Sequence, residues 1–277
     1  NNGTLTLRHG NDCEVSGNYF LGEKVSGSGG VRVIGENHKV FNNYFQDLVG
    51  SGYRTGICIT NGKINSAINE YFQVKNSLIA FNTFYNCNNV FNIGYQGGND
   101  LAPLSTTIAH NVVFATTSNQ NGVQISDSRS EIIWKNNLMY QGRFQSFTPS
   151  SDQFLRTTTN LNFNSSNATF GIYKPTNQSM IASSYKTTDF AEITTYIEGK
   201  NRPSEKMIGA FELEGTAQIS FPTPSTAGCS FINKNTTGIF PNFKNSENLI
   251  SNIEISTDKI QVKSNDSSLN LRIYTVK

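Results

Sequence analysis

Apolar residues in the first half of the chain recur two apart, in short bursts. In TLTLRH (4–9), Leu5 and Leu7 alternate with Thr4, Thr6 and Arg8, and VRVIG (31–35), GICIT (56–60), VFNIG (90–94) and VQISD (123–127) form a matching row. A period of two marks a strand with one buried face. A second row lies between these segments: VSGNYF (15–20), VFNNYF (40–45), IAFNTF (79–84), IAHNVV (108–113) and IWKNNL (133–138). Its template is an apolar residue, two variable residues, Asn, any residue and an apolar residue. The asparagines are Asn18, Asn43, Asn82, Asn111 and Asn136, at spacings of 25, 39, 29 and 25.

Two or three short strands per turn of about 25 residues, punctuated by Gly and Asn, predict an all-β, right-handed parallel β-helix. Asn tolerates the left-handed bends between strands, and stacked Asn side chains can hydrogen-bond from coil to coil. A leucine-rich repeat needs closer leucines, and a β-sandwich would not keep one template through five turns. The template fades after residue 145, although FLRTTTNLNF (154–163) reads as one more coil and RPSEKMIGAFE (202–212) as a closing segment. Residues 215–228 have the Pro, Ser, Thr and Gly content of a linker. The expected domains are therefore a β-helix over 1–214, a linker over 215–228 and a small antiparallel β module over 229–277. The alternation in IEISTDKIQVKS and LNLRIYTVK supports the last of these.

Composition narrows the function. A net charge of +2 gives no general basic surface for nucleic acid, and no apolar run reaches the length of a membrane-spanning helix. Cys13, Cys58, Cys87 and Cys229 form no close pair and no zinc-like spacing with His9, His38 or His110. They read as small buried thiols.

The register brings arginines together. With Val31 and Val33 facing inward, Arg32 faces outward, 24 residues after Arg8, and Arg54 follows 22 residues later. With coils ~4.8 Å apart, three guanidinium groups are expected to climb one face. They repel one another unless carboxylates or an anionic ligand lie among them. Glu36, Asp47 and Glu70 are candidate partners, which would make the face a salt-bridge network. The other reading is a groove for an acidic polysaccharide, because the planar Arg fork grips carboxylates in bidentate fashion. No aromatic stacking row is evident beside the arginines, which further argues against nucleic acid.

These residues carry a family resemblance. NGTLTLRHGN, GGVRVIGENHKVFNNYF, the Arg54-Thr55-Gly56-Ile57 strand start and EYFQVKNSLIAFNTF resemble polysaccharide lyase family 6, the alginate lyase and chondroitinase B family. The resemblance spans roughly residues 2–140 and continues more weakly to about 212. It implies a calcium-dependent lyase that cleaves uronate chains by β-elimination. It also implies that Arg8 acts at the leaving oxygen with His9 beside it, that Arg32 and Arg54 bind substrate carboxylates, and that Glu70 supports them. The family's catalytic lysine and calcium ligands precede the LRHG strand by about one coil. They are therefore expected upstream of Asn1, on the same gene product or on a companion chain.

Alginate is the expected substrate. Outward positions after Arg54, namely Asn61, Lys63, Asn92 and Gln124, are mostly neutral, and Tyr95 offers a ring for an unsulfated sugar. A dermatan sulfate or chondroitin lyase and a non-catalytic polysaccharide-binding β-helix are the alternatives. A glycoside hydrolase would need paired outward carboxylates, and Asp127 and Asp152 are isolated. The tail, IFPNFKNSENLISNIEISTDKIQVKSNDSSLNLRIYTVK, loosely resembles a type IX secretion sorting domain. A secreted, periplasmic or cell-surface location is expected.

Overall fold

The computed structural model describes residues 4–95, 99–165 and 171–213, together with the strands Ile250–Ile255 and Ile260–Ser264. Its strands fall into coils of three. The first coil holds β1 (Leu5–Leu7), β2 (Glu14–Ser16) and β3 (Tyr19–Leu21), and the second β4 (Val31–Val33), β5 (Lys39–Phe41) and β6 (Tyr44–Gln46). The third holds β7 (Ile57–Thr60), β8 (Leu78–Ala80) and β9 (Thr83–Tyr85), and the fourth β10 (Asn89–Tyr95), β11 (Thr106–Ala109) and β12 (Val112–Phe114). The fifth holds β13 (Asn121–Ile125), β14 (Ile132–Lys135) and β15 (Asn137–Tyr140); β16 (Arg143–Gln145) and β17 (Phe154–Thr157) begin a sixth. Equivalent strands stack into three parallel sheets, β1-β4-β7-β10-β13-β16, β2-β5-β8-β11-β14 and β3-β6-β9-β12-β15-β17. This is the parallel β-helix that the spacing predicts.

Alternation decides what is inside. In the first sheet Leu5, Val31, Ile57, Phe91 and Val123 share one inward row, and Leu7, Val33, Ile59, Ile93 and Ile125 the next. The third sheet sends in Phe20, Phe45 and Phe84, whose rings stack at 4.7 and 4.5 Å. Each fully buried aliphatic or phenyl side chain contributes about 1.5–3 kcal/mol relative to exposure.

The corner between the second and third sheets carries the asparagine ladder. Backbone N and Nδ2 of Asn18 both donate to Oδ1 of Asn43 at 3.0 Å. Asn43 donates in the same way to Asn82, and Asn82 to Asn111. The last rung differs from the sequence template: Asn111 donates to Asn137, not Asn136. Asn136 has φ +46° and occupies the left-handed bend that Gly17, Asn42, Phe81 and His110 occupy in earlier coils. Trp134, rather than Ile133, consequently takes the inward place beside Ile108.

After β17 the chain leaves the helical path. β18 (Phe163–Ser165) pairs antiparallel with β19 (Tyr173–Pro175), so the segment 154–163, expected as one more coil, supplies one strand to the stack, β17. The segment 171–213 then packs along the side of the helix, across several coils. Tyr173 stacks on Tyr85 at 4.0 Å, and Phe211 packs edge-on against Tyr44 at 5.5 Å. Arg202, its side chain fully buried, pairs with Glu212, donates to Asn42 Oδ1 and lies over the Phe81 ring. Asp189 accepts from His110 and pairs with Lys135, each at 2.7 Å.

The chain divides into two compact units, residues 1–219 and 220–277. In the second, Ile250–Ile255 and Ile260–Ser264 form an antiparallel pair, as their alternation predicts. The proposed linker, the rest of the C-terminal module and Cys229 lie outside the described residues. No helix among the described residues is long and apolar enough to cross a membrane.

Two outcomes follow from the buried polar groups. Asn82→Ala removes the acceptor of Asn43 and the donor to Val40 O and Asn111. It should cost about 3 kcal/mol in urea unfolding, because each buried group left unpaired costs roughly 1–3 kcal/mol. His38 is fully buried; its Nδ1 lies 3.2 Å from the Cys13 N–H and its Nε2 2.9 Å from Ile34 O. That pairing requires the neutral ring, and burial lowers its pKa from 6.5 despite the Ile34 hydrogen bond and Asp12. The unfolded chain therefore binds the extra proton first, so this contribution is complete above pH 6.5 and is lost as pH falls below it toward the lowered folded value. Unfolding midpoints measured through that window should drop with acid, with a shallower slope in His38→Gln.

Candidate functional site

The outward row of the first sheet runs Thr6, Arg32, Cys58, Asn92, Gln124 and Gln145. Arg8 lies two residues beyond Thr6, on the same face by alternation. Two excursions build upon this face. The short 3₁₀ turn Gly52–Arg54 precedes β7 and carries Tyr53. The longer excursion between β7 and β8 is closed by Lys63 N–H donating to Tyr71 O at 2.7 Å and by the Lys63–Glu70 ion pair at 2.6 Å.

These elements assemble a run of cations and rings. The Arg8 guanidinium lies 4.9 Å from the centre of the Tyr71 ring, and its Nη1 donates to Asn69 O at 2.9 Å. Tyr71 stacks with Tyr53 at 6.1 Å, and Arg32 lies 4.4 Å from the centre of the Tyr53 ring. Tyr95 meets Tyr53 edge-on at 4.7 Å. Such contacts attract through the ring quadrupole. Beneath them, Cys58 is completely buried; burial pushes its thiol up to about 12, with Arg32 pulling the other way. The Tyr53 hydroxyl is likewise pushed up to about 12, by burial first and then by Tyr71 beside it.

Among the described residues, no carboxylate neutralises the two arginines. Glu36 pairs with Lys75 at 2.9 Å, Asp47 accepts from Asn86 and Gln46, and Glu70 is held by Lys63 and the Ala67 N–H. The Lys63 hydrogen bond lowers the Glu70 pKa first, and the Ala67 N–H adds to it. Arg32 is partly buried, and its Nε is buried with no acceptor. The salt-bridge network that the sequence allows is therefore not formed around Arg8 and Arg32.

The sequence model of the Chondroitinase B family matches residues 1–191. The chain belongs to this family. Among solved structures, the PL6 family alginate lyase AlyGC superposes with a TM-score of 0.56 at 30% identity, over 64% of this chain and 23% of that one. A PL6 alginate lyase in complex with a trisaccharide superposes at 0.50 with 19% identity, over 64% of this chain and 41% of that one, a likeness of fold alone. This chain thus spans well under half the length of either. No curated protein matches it.

The sequence-predicted residues divide. Arg8, Arg32 and Tyr95 come together, and His9 is exposed beside Arg8. Arg54 ends its turn exposed, without a side-chain partner among the described residues, and it lies four positions before Cys58 in the row that Arg32 occupies. Glu70 shares the Tyr71 excursion but turns to Lys63. Asn61 bonds to Asp127, and Asn92 braces the Gly52 carbonyl, so neither stands free on the face.

The sequence reading missed Tyr53 and Tyr71, and with them the aromatic row it judged missing. Each is the immediate neighbour of a charged residue chosen for its charge, Arg54 and Glu70. Their signal was present in that adjacency, but the excursions that turn the rings over the arginines have no strand period.

Gly52 sets one constraint on this turn. Its φ is +62°, and a Cβ there would lie 2.8 Å from the Tyr95 hydroxyl. Gly52→Ala should therefore lower stability in thermal unfolding by about 1–2 kcal/mol, the cost of a left-handed Ala, and displace Tyr95 further. An unchanged melting temperature would show that the turn relaxes freely.

Proposed function

We propose that this chain forms part of a polysaccharide lyase that cleaves alginate by β-elimination. One observation carries the reading: Arg8 and Arg32 share a face, lie over tyrosine rings and have no carboxylate partner among the described residues. Partly desolvated cations without counter-ions suit an anionic ligand. A linear uronate polymer presents carboxylates at regular intervals along such a face.

The chemistry assigns distinct roles. Removing the proton alpha to a uronate carboxylate drives further charge onto that carboxylate; because the group is already anionic, a cation there holds it in the ground state as well as in the transition state. Arg32 is proposed to bind the carboxylate. Arg8 is proposed to donate to the departing glycosidic oxygen; a guanidinium with a pKa above about 12 stabilises that charge without surrendering its proton. His9 would orient Arg8 or pass a proton from water, while Arg54, Glu70 and Tyr95 would flank the chain of sugars.

Among the described residues, no three His, Cys, Asp or Glu side chains converge as a metal site requires. Calcium and the proton-abstracting lysine are proposed to belong to coils N-terminal to these residues, and action on a polymer fits a secreted, periplasmic or cell-surface protein.

Dermatan sulfate is the second reading, because the matching family model bears the name of chondroitinase B. Alginate is preferred because the 30% identical AlyGC is an alginate lyase and because Lys63, on the excursion that carries Tyr71, is engaged by Glu70.

The full-length gene product mixed with alginate should generate the ultraviolet absorbance of an unsaturated uronate, faster than with dermatan sulfate. Arg8→Ala should reduce that rate at least ~100-fold, in line with losing an oxyanion donor, while leaving the melting temperature nearly unchanged. Full activity in Arg8→Ala would overturn its role, and a preference for dermatan sulfate would overturn the substrate. Chelation of calcium should slow the reaction.

A further inference from the structure

We propose that Tyr53 and Tyr71 are positioning residues, Tyr71 for Arg8 and Tyr53 for Arg32, which aim the two guanidinium groups before substrate arrives. The inference rests on the lyase reading above. An arginine on a partly open face has many rotamers, and fixing it usually takes a carboxylate. A carboxylate, however, occupies the in-plane N–H donors that a substrate must use. A ring holds the cation by its flat face and leaves those edges free. Arg8 at 4.9 Å from Tyr71 and Arg32 at 4.4 Å from Tyr53 have this arrangement, and among the described residues the one hydrogen bond that either guanidinium makes is Arg8 Nη1 to Asn69 O.

The rings are themselves braced. They stack on each other at 6.1 Å, Tyr95 supports Tyr53 edge-on, and the Lys63 N–H fixes the backbone of Tyr71. Asn92 Nδ2 donates to the Gly52 carbonyl at 3.4 Å, which ties the Tyr53 turn to the sheet. The two tyrosines come from separate excursions, so each arginine has its own support. Their loss should therefore separate kinetically.

The test uses the full-length gene product with alginate, and calorimetry with a short uronate oligomer. Tyr71→Leu should lower kcat roughly 10-fold with KM nearly unchanged, and Tyr53→Leu should raise KM and the oligomer Kd by a similar factor with a smaller effect on kcat. Tyr71→Phe and Tyr53→Phe, which keep the rings, should stay within about threefold of the parent. Tyr71→His supplies a measure independent of truncation. Its neutral ring supports Arg8 above roughly pH 7, whereas its protonated ring repels it below about pH 6, so kcat should fall in acid more steeply than in the parent. With an active parent, leucine variants that match it, or that change kcat and KM alike, would overturn the inference alone. An inactive parent that binds no oligomer would remove the lyase reading, and this inference with it.

Discussion

Each coil must turn from the second sheet into the third through a left-handed bend, and the turn is possible because an asparagine follows it. The bend leaves backbone N–H and C=O groups pointing along the axis with no strand partner. Asn43, Asn82, Asn111 and Asn137 close that gap: each Oδ1 accepts two N–H groups from the coil before, and the Nδ2 groups return to backbone carbonyls. These atoms are buried, where an unmet polar group is costly. The ladder therefore fixes register from coil to coil, and register sets which residues face outward. The alignment of Arg32 over Cys58 and beside Thr6 depends on it.

The same corner explains where the closing segment binds. A residue with φ near +50° points away from the helix, and this column holds Asn42, Phe81 and His110. Arg202 bonds to the first and covers the second, while Asp189 meets the third. Burial lowers the His110 pKa and Asp189 opposes it; Lys135, and then His110, hold Asp189 down at about 2. The third sheet gains a second apolar layer from the same segment, including Ile181, Met207 and Ile208. One flank of the helix is thus covered, while the first sheet carries the arginines and tyrosines.

On that face, two kinds of support meet different needs. Lysines and acids that pair with each other, such as Lys63 with Glu70 and Lys75 with Glu36, stiffen the excursions. Arg8 and Arg32 are held by rings instead. A face that bound its arginines with its own carboxylates would have little left for a polyanion.

The sequence by itself determined the β-helix, the inward rows and the outward direction of Arg32, because a period of two and a recurring asparagine are local properties repeated in every coil. It determined one rung less well. Two consecutive asparagines at 136 and 137 satisfy the template equally, and only stacking upon Asn111 chooses the second. Tertiary structure alone decided which charges are neutralised. Glu36, Asp47 and Glu70 looked like partners for the arginines from spacing, but Lys75, Asn86 and Lys63 reach them first. It alone brought Tyr53 and Tyr71 over the arginines, because both lie on excursions whose paths follow from closure between coils, a long-range constraint that leaves no period in the chain.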